Sequence, residues 1–147
     1  MVDVGEKEIT VRSATAEGRL MMELATLEAI LEGRGPKGDP LRVAELAGIQ
    51  AAKLTPYLIP LCHPLPITGS RVEVVPDEDL PGIRVTATVR VVGKTGVEME
   101  ALSAVMGALL TTYDMLKAID RGMQIEGVRL LEKKGGRSGD WDISASE

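Results

Sequence analysis

Residues 82–92 read GIRVTATVRVV and residues 97–121 read VEMEALSAVMGALLTTYDMLKAIDR, and the contrast between these two stretches decides the fold. In the first, Ile83, Val85, Ala87, Val89 and Val91 share one parity, opposite Arg84, Thr86, Thr88 and Arg90. That alternation fits a strand with one buried and one polar face. In the second, with about 100° per residue, Val105, Met106, Leu109, Tyr113 and Leu116 gather within roughly 60° of Leu102. This is the periodicity of a long amphipathic helix, closed by Gly122. Upstream of the strand, Arg71 to Val75 reads as its antiparallel neighbour, joined through the turn residues Pro76 to Pro81. Downstream of the helix, a last strand, Gln124 to Lys133, runs into the glycine-rich stretch 135–139.

The N-terminal half completes the order. Lys7 to Leu20 alternates as an extended strand, Met21 to Leu31 is a helix ended by Gly33, and 34–38 holds two glycines and a proline and must be a loop. Asp39-Pro40 opens a second helix, with Asp as cap and Pro in the first turn. Its mostly apolar run, Leu41 to Ala51, predicts burial on several sides. Leu58 to Pro66 carries three prolines in nine residues and can be neither long helix nor central strand. The order β-α-α-β-β-α-β predicts an α+β, ferredoxin-like fold. It has a four-stranded antiparallel sheet with helices on one face and one extra helix, in a single domain spanning 1–147.

Composition bounds the function. A net charge of -5 argues against nucleic acid as partner, while local Lys and Arg can still hold a small anion. One cysteine permits no internal disulfide, no apolar run is long enough to span a membrane, and MVDVGEKEIT lacks the apolar core of a signal peptide. The expected compartment is the cytoplasm.

Candidate chemistry centres on the long helix. Lys117 falls on the shoulder of the apolar stripe, and Glu98, if already helical, falls within it; desolvated charges need partners, so both suggest an enclosed polar site. The plainer reading is that Lys117 reaches water along its methylene stem and Glu98 precedes the helix. Asp114 and Lys117, three residues apart, face each other. Their spacing fits a surface ion pair, or an acid/base pair in which Lys exchanges protons and Asp orients it. Glu100 and Asp114 lie about 21 Å apart at 1.5 Å per residue, so one small ligand can meet both only in a site built from two subunits. His63, the only histidine, is a packing residue or a ligand contact; with Cys62 it offers too few ligands for a zinc site. Cys62 itself, among apolar neighbours, has burial and inertness as its default. The loops around Lys37 and Lys133-Lys134 combine glycine with positive charge, as phosphate-binding loops do, but neither has P-loop spacing, and glycine-rich ends are often only mobile.

Several strings resemble one family in order and spacing. They are Met1 to Val4, Lys37-Gly38-Asp39, Ala47 to Lys53, Leu58-Ile59-Pro60-Leu61-Cys62-His63-Pro64-Leu65, Lys94 to Leu102, Tyr113 to Ala118, and Arg129 through Asp140. Together they identify the chain as similar to the MoaC family over essentially its whole length. The resemblance implies a lyase that converts 3′,8-cyclo-7,8-dihydroguanosine 5′-triphosphate into cyclic pyranopterin monophosphate, releasing pyrophosphate, in molybdenum cofactor biosynthesis. It implies Asp114 and Lys117 as catalytic residues. Leu61, Cys62, His63, Met99 and Glu100 match substrate-contacting segments, and Lys37, Glu98 and Lys133 match further polar positions of the pocket. No metal ligands and no cofactor are implied, and whether Mg²⁺ accompanies the triphosphate is left open. The resemblance further implies a homohexamer, a trimer of dimers, with the active site at a subunit interface.

Departures from the family pattern are local. Leu54 and Tyr57 stand where an Arg and an Asp are usual, which suggests an ion pair exchanged for apolar packing. Arg137 stands where Lys is common. Competing readings are a small-molecule-binding module without turnover, which predicts binding but no pyrophosphate release, and a purely structural oligomer.

Overall fold

The computed structural model describes residues 1–146; Glu147, the last residue of the expected domain, lies outside the described residues. Strand β1 (Thr10–Met21) leads to helices α1 (Leu24–Leu31) and α2 (Pro40–Leu58). Strands β2 (Ile67–Asp77) and β3 (Gly82–Gly93), helix α3 (Glu98–Leu116) and strand β4 (Gln124–Lys134) follow, then a two-residue strand β5 (Trp141–Asp142) and a 3₁₀ turn (Ile143–Ser146). The sheet order is β2-β3-β1-β4-β5, antiparallel throughout. This is the expected ferredoxin-like arrangement with α1 as the additional helix. The glycine-rich stretch does more than trail away: Lys133 pairs with Trp141 and Glu132 with Asp142.

Parity in β3 is followed throughout. Ile83, Val85, Ala87, Val89 and Val91 are fully buried beneath the helices, each branched side chain contributing roughly 1.5–3 kcal/mol of apolar burial. β1 sits between β3 and β4 and turns Ala14, Ala16 and Leu20 to the same side. The other sheet face is polar. Thr15 Oγ1 lies 2.9 Å from Thr88 Oγ1, and Arg129 pairs with Glu17 at 2.8 Å.

Asp39 caps α2 as expected, its carboxylate accepting from Leu41 N and Arg42 N with Pro40 in the first turn. The helix runs past Ala51 to Leu58 and takes Pro56 into its last turn, where proline forgoes a single backbone bond. Burial on several sides is not observed. Val43, Leu46, Leu54, Tyr57 and Leu58 are exposed, so Leu54 and Tyr57 do not pack within the chain as expected of an exchanged ion pair.

Helix α3 also differs from its wheel. Its buried arc runs through Ala101, Ala104, Val105, Ala108, Leu109, Thr112, Met115 and Leu116. Met106 and Tyr113 are only partly buried, and Leu110 is exposed. The cause is a close crossing with α2. A Cβ on Gly48 would lie 3.0 Å from the Ala104 carbonyl oxygen, and one on Gly107 would lie 2.5 Å from Ala51 Cβ. Small residues hold this contact, and a hydrophobicity pattern gives them little weight. Past α3, the buried Asp120 accepts from Glu23 N, Thr26 Oγ1 and Gly122 N, each at 3.0 Å. It thereby caps α1, whose own N-cap side chain makes no such bond. No helix among the described residues is long and apolar enough to cross a membrane.

Candidate functional site

Two clusters form, one at each end of α3. At its N-terminal end a cavity of about 500 Å³ is lined by Leu61, Cys62, His63, Glu98, Met99 and Glu100. The chain enters this wall straight from α2. Ile59 N donates to Thr55 O and Cys62 N to Ile59 O, so a tight turn delivers Leu61-Cys62-His63 to the start of α3. Lys133 joins from β4, its Nζ 3.6 Å from Glu98 Oε1 and 2.5 Å from Ser138 Oγ. Left-handed glycines at 135, 136 and 139 fold this loop back beside β4. Seven of the ten expected residues therefore meet here.

Glu100 is the cavity's distinctive group. It is only 3% exposed, and burial pushes its carboxyl above the ordinary carboxylate range, with the neighbouring Glu98 charge adding to the effect and a backbone hydrogen bond opposing it. The helical wheel missed this, because Glu100 lies away from the apolar stripe and is covered by the cavity wall. Cys62, expected to be buried, is only partly so. Burial first, and then the Glu100 charge, raise its thiol, which keeps it a weak nucleophile. Lys7, Thr95, Gly96 and the side chains of Met1 and Val2 also line the cavity. Thr95 and Gly96 sit within the sequence string leading into α3, but nothing in the pattern marks Lys7. The N-terminal segment is fixed by Lys94 Nζ, which donates to Gly5 O at 2.5 Å, and by a turn from Lys7 N to Val4 O.

At the opposite end of α3, Asp114 stands between two ammonium groups. Lys117 Nζ lies 2.6 Å from Oδ1, and Lys37 Nζ, carried by the α1–α2 loop, lies 2.8 Å from Oδ2. The hydrogen bond from Lys117, then that from Lys37, holds the Asp114 carboxyl down to about 2. The spacing of 114 and 117 thus produces the expected pair, and Lys37 makes it a triad. Enclosure is not observed: α3 ends at Leu116, and the Lys117 and Asp114 side chains are each 52% exposed in the chain. Lys117 stands at the C-cap of the helix with its ammonium on Asp114, half exposed rather than over the buried arc. The two clusters are not brought together within one chain.

The arrangement offers acid and base groups in two states. Glu100, its carboxyl raised by burial, is the more readily protonated of the two acids, whereas Asp114 stays ionised and orients Lys37 and Lys117. Among the described residues, no group of three or more His, Cys, Asp or Glu side chains could hold a metal ion.

Known proteins agree with the residue strings. The MoaC family matches residues 1–136. A cyclic pyranopterin monophosphate synthase of Methylobacterium sp. (strain 4-46) is 63% identical over 141 residues, covering 96% of this chain and 88% of that protein. One from Brucella ovis (strain ATCC 25840 / 63/290 / NCTC 10512) is 58% identical over 144 residues, covering 98% of this chain and 87% of its own length. The chain belongs to the MoaC family.

Proposed function

We propose that this protein catalyses the reaction for which its relatives are named, converting 3′,8-cyclo-7,8-dihydroguanosine 5′-triphosphate into cyclic pyranopterin monophosphate and pyrophosphate in molybdenum cofactor biosynthesis. It is a lyase acting on a small, anionic, nucleotide-derived substrate. The observation that carries this reading is that one chain holds, at opposite ends of α3, a buried Glu100 whose carboxyl is raised and an Asp114 clamped by Lys117 and Lys37. The reaction takes protons from and returns them to ring atoms. It also breaks the bond between the α- and β-phosphates as a sugar hydroxyl closes on the α-phosphorus. Both demands are met by carboxyl and ammonium groups without electron transfer.

Lys117, oriented by Asp114, moves protons. Lys37 and Lys133 face phosphate oxygens and offset the charge of the departing pyrophosphate. Glu100 and His63 hold the base or sugar, with Leu61, Cys62, Met99 and Glu98 forming the remaining wall. The chain acts as one domain in the cytoplasm, with no resident metal or cofactor, and any Mg²⁺ enters with the triphosphate. Since the two clusters stand about 21 Å apart along α3, a complete site draws one from each of two subunits, within a homohexamer built as a trimer of dimers.

Purified protein incubated with the cyclic dihydroguanosine triphosphate should release pyrophosphate; none under any condition refutes the enzyme reading and favours a binding module. Mixed Glu100→Ala and Asp114→Ala subunits should regain activity that neither has alone. Properly mixed oligomers that stay inactive refute the shared site.

A further inference from the structure

Lys37 reaches Asp114 from a loop, and that loop hangs between two helices. On one side, α2 crosses α3 closely through Gly48 and Gly107. On the other, α1 buries Leu27 and Ile30, yet among the described residues it has no long backbone contact with any other helix or strand. A helix of eight residues is not stable by itself and takes its place from what holds it.

Asp120 is what holds it. The side chain is buried; Oδ2 accepts from Glu23 N and Thr26 Oγ1 at the start of α1, and Oδ1 accepts from Gly122 N. Asp120 is in turn locked to the end of α3. Its own N–H and that of Ile119 donate to Leu116 O at 3.0 and 2.9 Å, and Tyr113 Oη donates to Arg121 O at 2.9 Å. Tyr113 directly precedes Asp114, and Lys117 lies three residues before Asp120. One buried carboxyl thus joins the segment that carries Asp114 and Lys117 to the helix that leads to Lys37. The Lys37–Asp114 pair cannot do this itself, because its side chains are 49% and 52% exposed and exposed ion pairs contribute little. At the far end of α1, left-handed Gly33 and the bond from Arg34 N to Ala29 O turn the chain sharply into the loop, so a shift of α1 is passed on to Lys37.

We propose that Asp120, with Thr26, is a positioning residue of the site: by tying α1 to the end of α3 it sets Lys37 against Asp114. This rests on the reading above in which Lys37 serves the reaction. A purely structural cap would cost stability when lost and leave the coupling of the three charged groups alone. A positioning residue changes that coupling.

The Asp114 carboxyl reports this geometry directly, because Lys37 is one of the two groups that hold it down. In Asp120→Ala, carboxyl NMR should find the Asp114 midpoint raised as far as in Lys37→Ala. Adding Asp120→Ala to Lys37→Ala should raise it no further, whereas adding it to Lys117→Ala should still raise it. Thr26→Val removes one of the three donors and should give a smaller rise; Thr26→Ser keeps the hydroxyl and should give none. Pyrophosphate release should fall in Asp120→Ala by as much as in Lys37→Ala, up to about a hundredfold, and no further in the double variant. An Asp114 midpoint unmoved in Asp120→Ala overturns the proposal, as does a rise just as large in the Lys37→Ala background. Should Asp120→Ala not fold, Thr26→Val decides alone: no rise, or a rise that Thr26→Ser shares, overturns it. A raised midpoint with undiminished turnover refutes the role of Lys37 in the reaction and leaves its positioning intact.

Discussion

Gly107→Ala probes the spacing on which both clusters depend. The added methyl would lie 2.5 Å from Ala51 Cβ and 3.2 Å from the Ala47 carbonyl oxygen. Carbon atoms in contact settle at about 3.5–4.0 Å, so α2 and α3 must part by roughly 1 Å, and neither neighbour is a flexible side chain that could swing aside. Overpacking of this kind costs about 1–3 kcal/mol. Alanine in place of a mid-helix glycine returns about 1 kcal/mol. The net loss is then at most about 2 kcal/mol, a fall in Tm of up to roughly 8 °C for a chain of this size. Activity should suffer more, because α2 delivers Leu61-Cys62-His63 and α3 delivers Glu100, and a 1 Å error between them can cost up to about a hundredfold. Thermal unfolding followed by circular dichroism, with pyrophosphate release in parallel, checks both. Adding Ala51→Gly should restore most of the lost stability. A Gly107→Ala protein more stable than its parent by the whole of that ~1 kcal/mol helix gain would refute the close crossing.

Other perturbations address single groups. The Glu100 carboxyl is raised in the fold, so its ionisation opposes folding. The penalty is absent below the ordinary unfolded value and grows as pH rises through the raised one. Glu100→Gln should therefore raise Tm at neutral pH, lose that advantage in acid, and lose turnover; a Tm gain unchanged with pH would contradict the raised titration. Asp114 is held down, so any stability it lends is present above the unfolded value and is lost only as pH falls through about 2. Carboxyl NMR should find its midpoint near 2, moving upward in Lys117→Ala and less far in Lys37→Ala; an unmoved midpoint would remove the lysines as its cause. Lys117→Ala should lower turnover far more than it lowers Tm, given a side chain half exposed at a helix end; near-normal turnover would end its catalytic role. Asp120→Ala should destabilise by about 2–4 kcal/mol, because it strands donors from Glu23, Thr26 and Gly122; a change under about 0.5 kcal/mol in denaturant titration would contradict that cap.

The topology was legible because its signals are local and strong. Strand parity at Ile83 to Val91 and the long periodic run after Val97 leave little freedom, and Asp39-Pro40 marks a helix start by its own chemistry. The orientation of α3 was not legible. A wheel weighted by large apolar residues centres on Leu102, whereas the real contact with α2 is made by Ala104, Gly107 and Gly48, whose value lies in their lack of bulk. The same weighting hid the burial of Glu100 and placed Lys117 over a shoulder where the helix has already ended. The apolar run marks α2 only as far as Ala51, yet the helix continues to Leu58 with Pro56 in its last turn, where proline forgoes only one bond. At the site, spacing alone gave the Asp114–Lys117 contact and the distance between the two clusters. The arrival of Lys37 at Asp114 depends on how α1 and its loop pack, which no local pattern encodes.

The tether between Lys94 and the Gly5 carbonyl has a practical bearing on how the protein is handled. Because Met1 and Val2 form part of the cavity wall, any peptide joined ahead of them by cloning emerges beside the opening. A purification handle left there would compete with a ligand for the entrance and weaken apparent affinity without touching a single active group. A handle removed without residue would leave the entrance free.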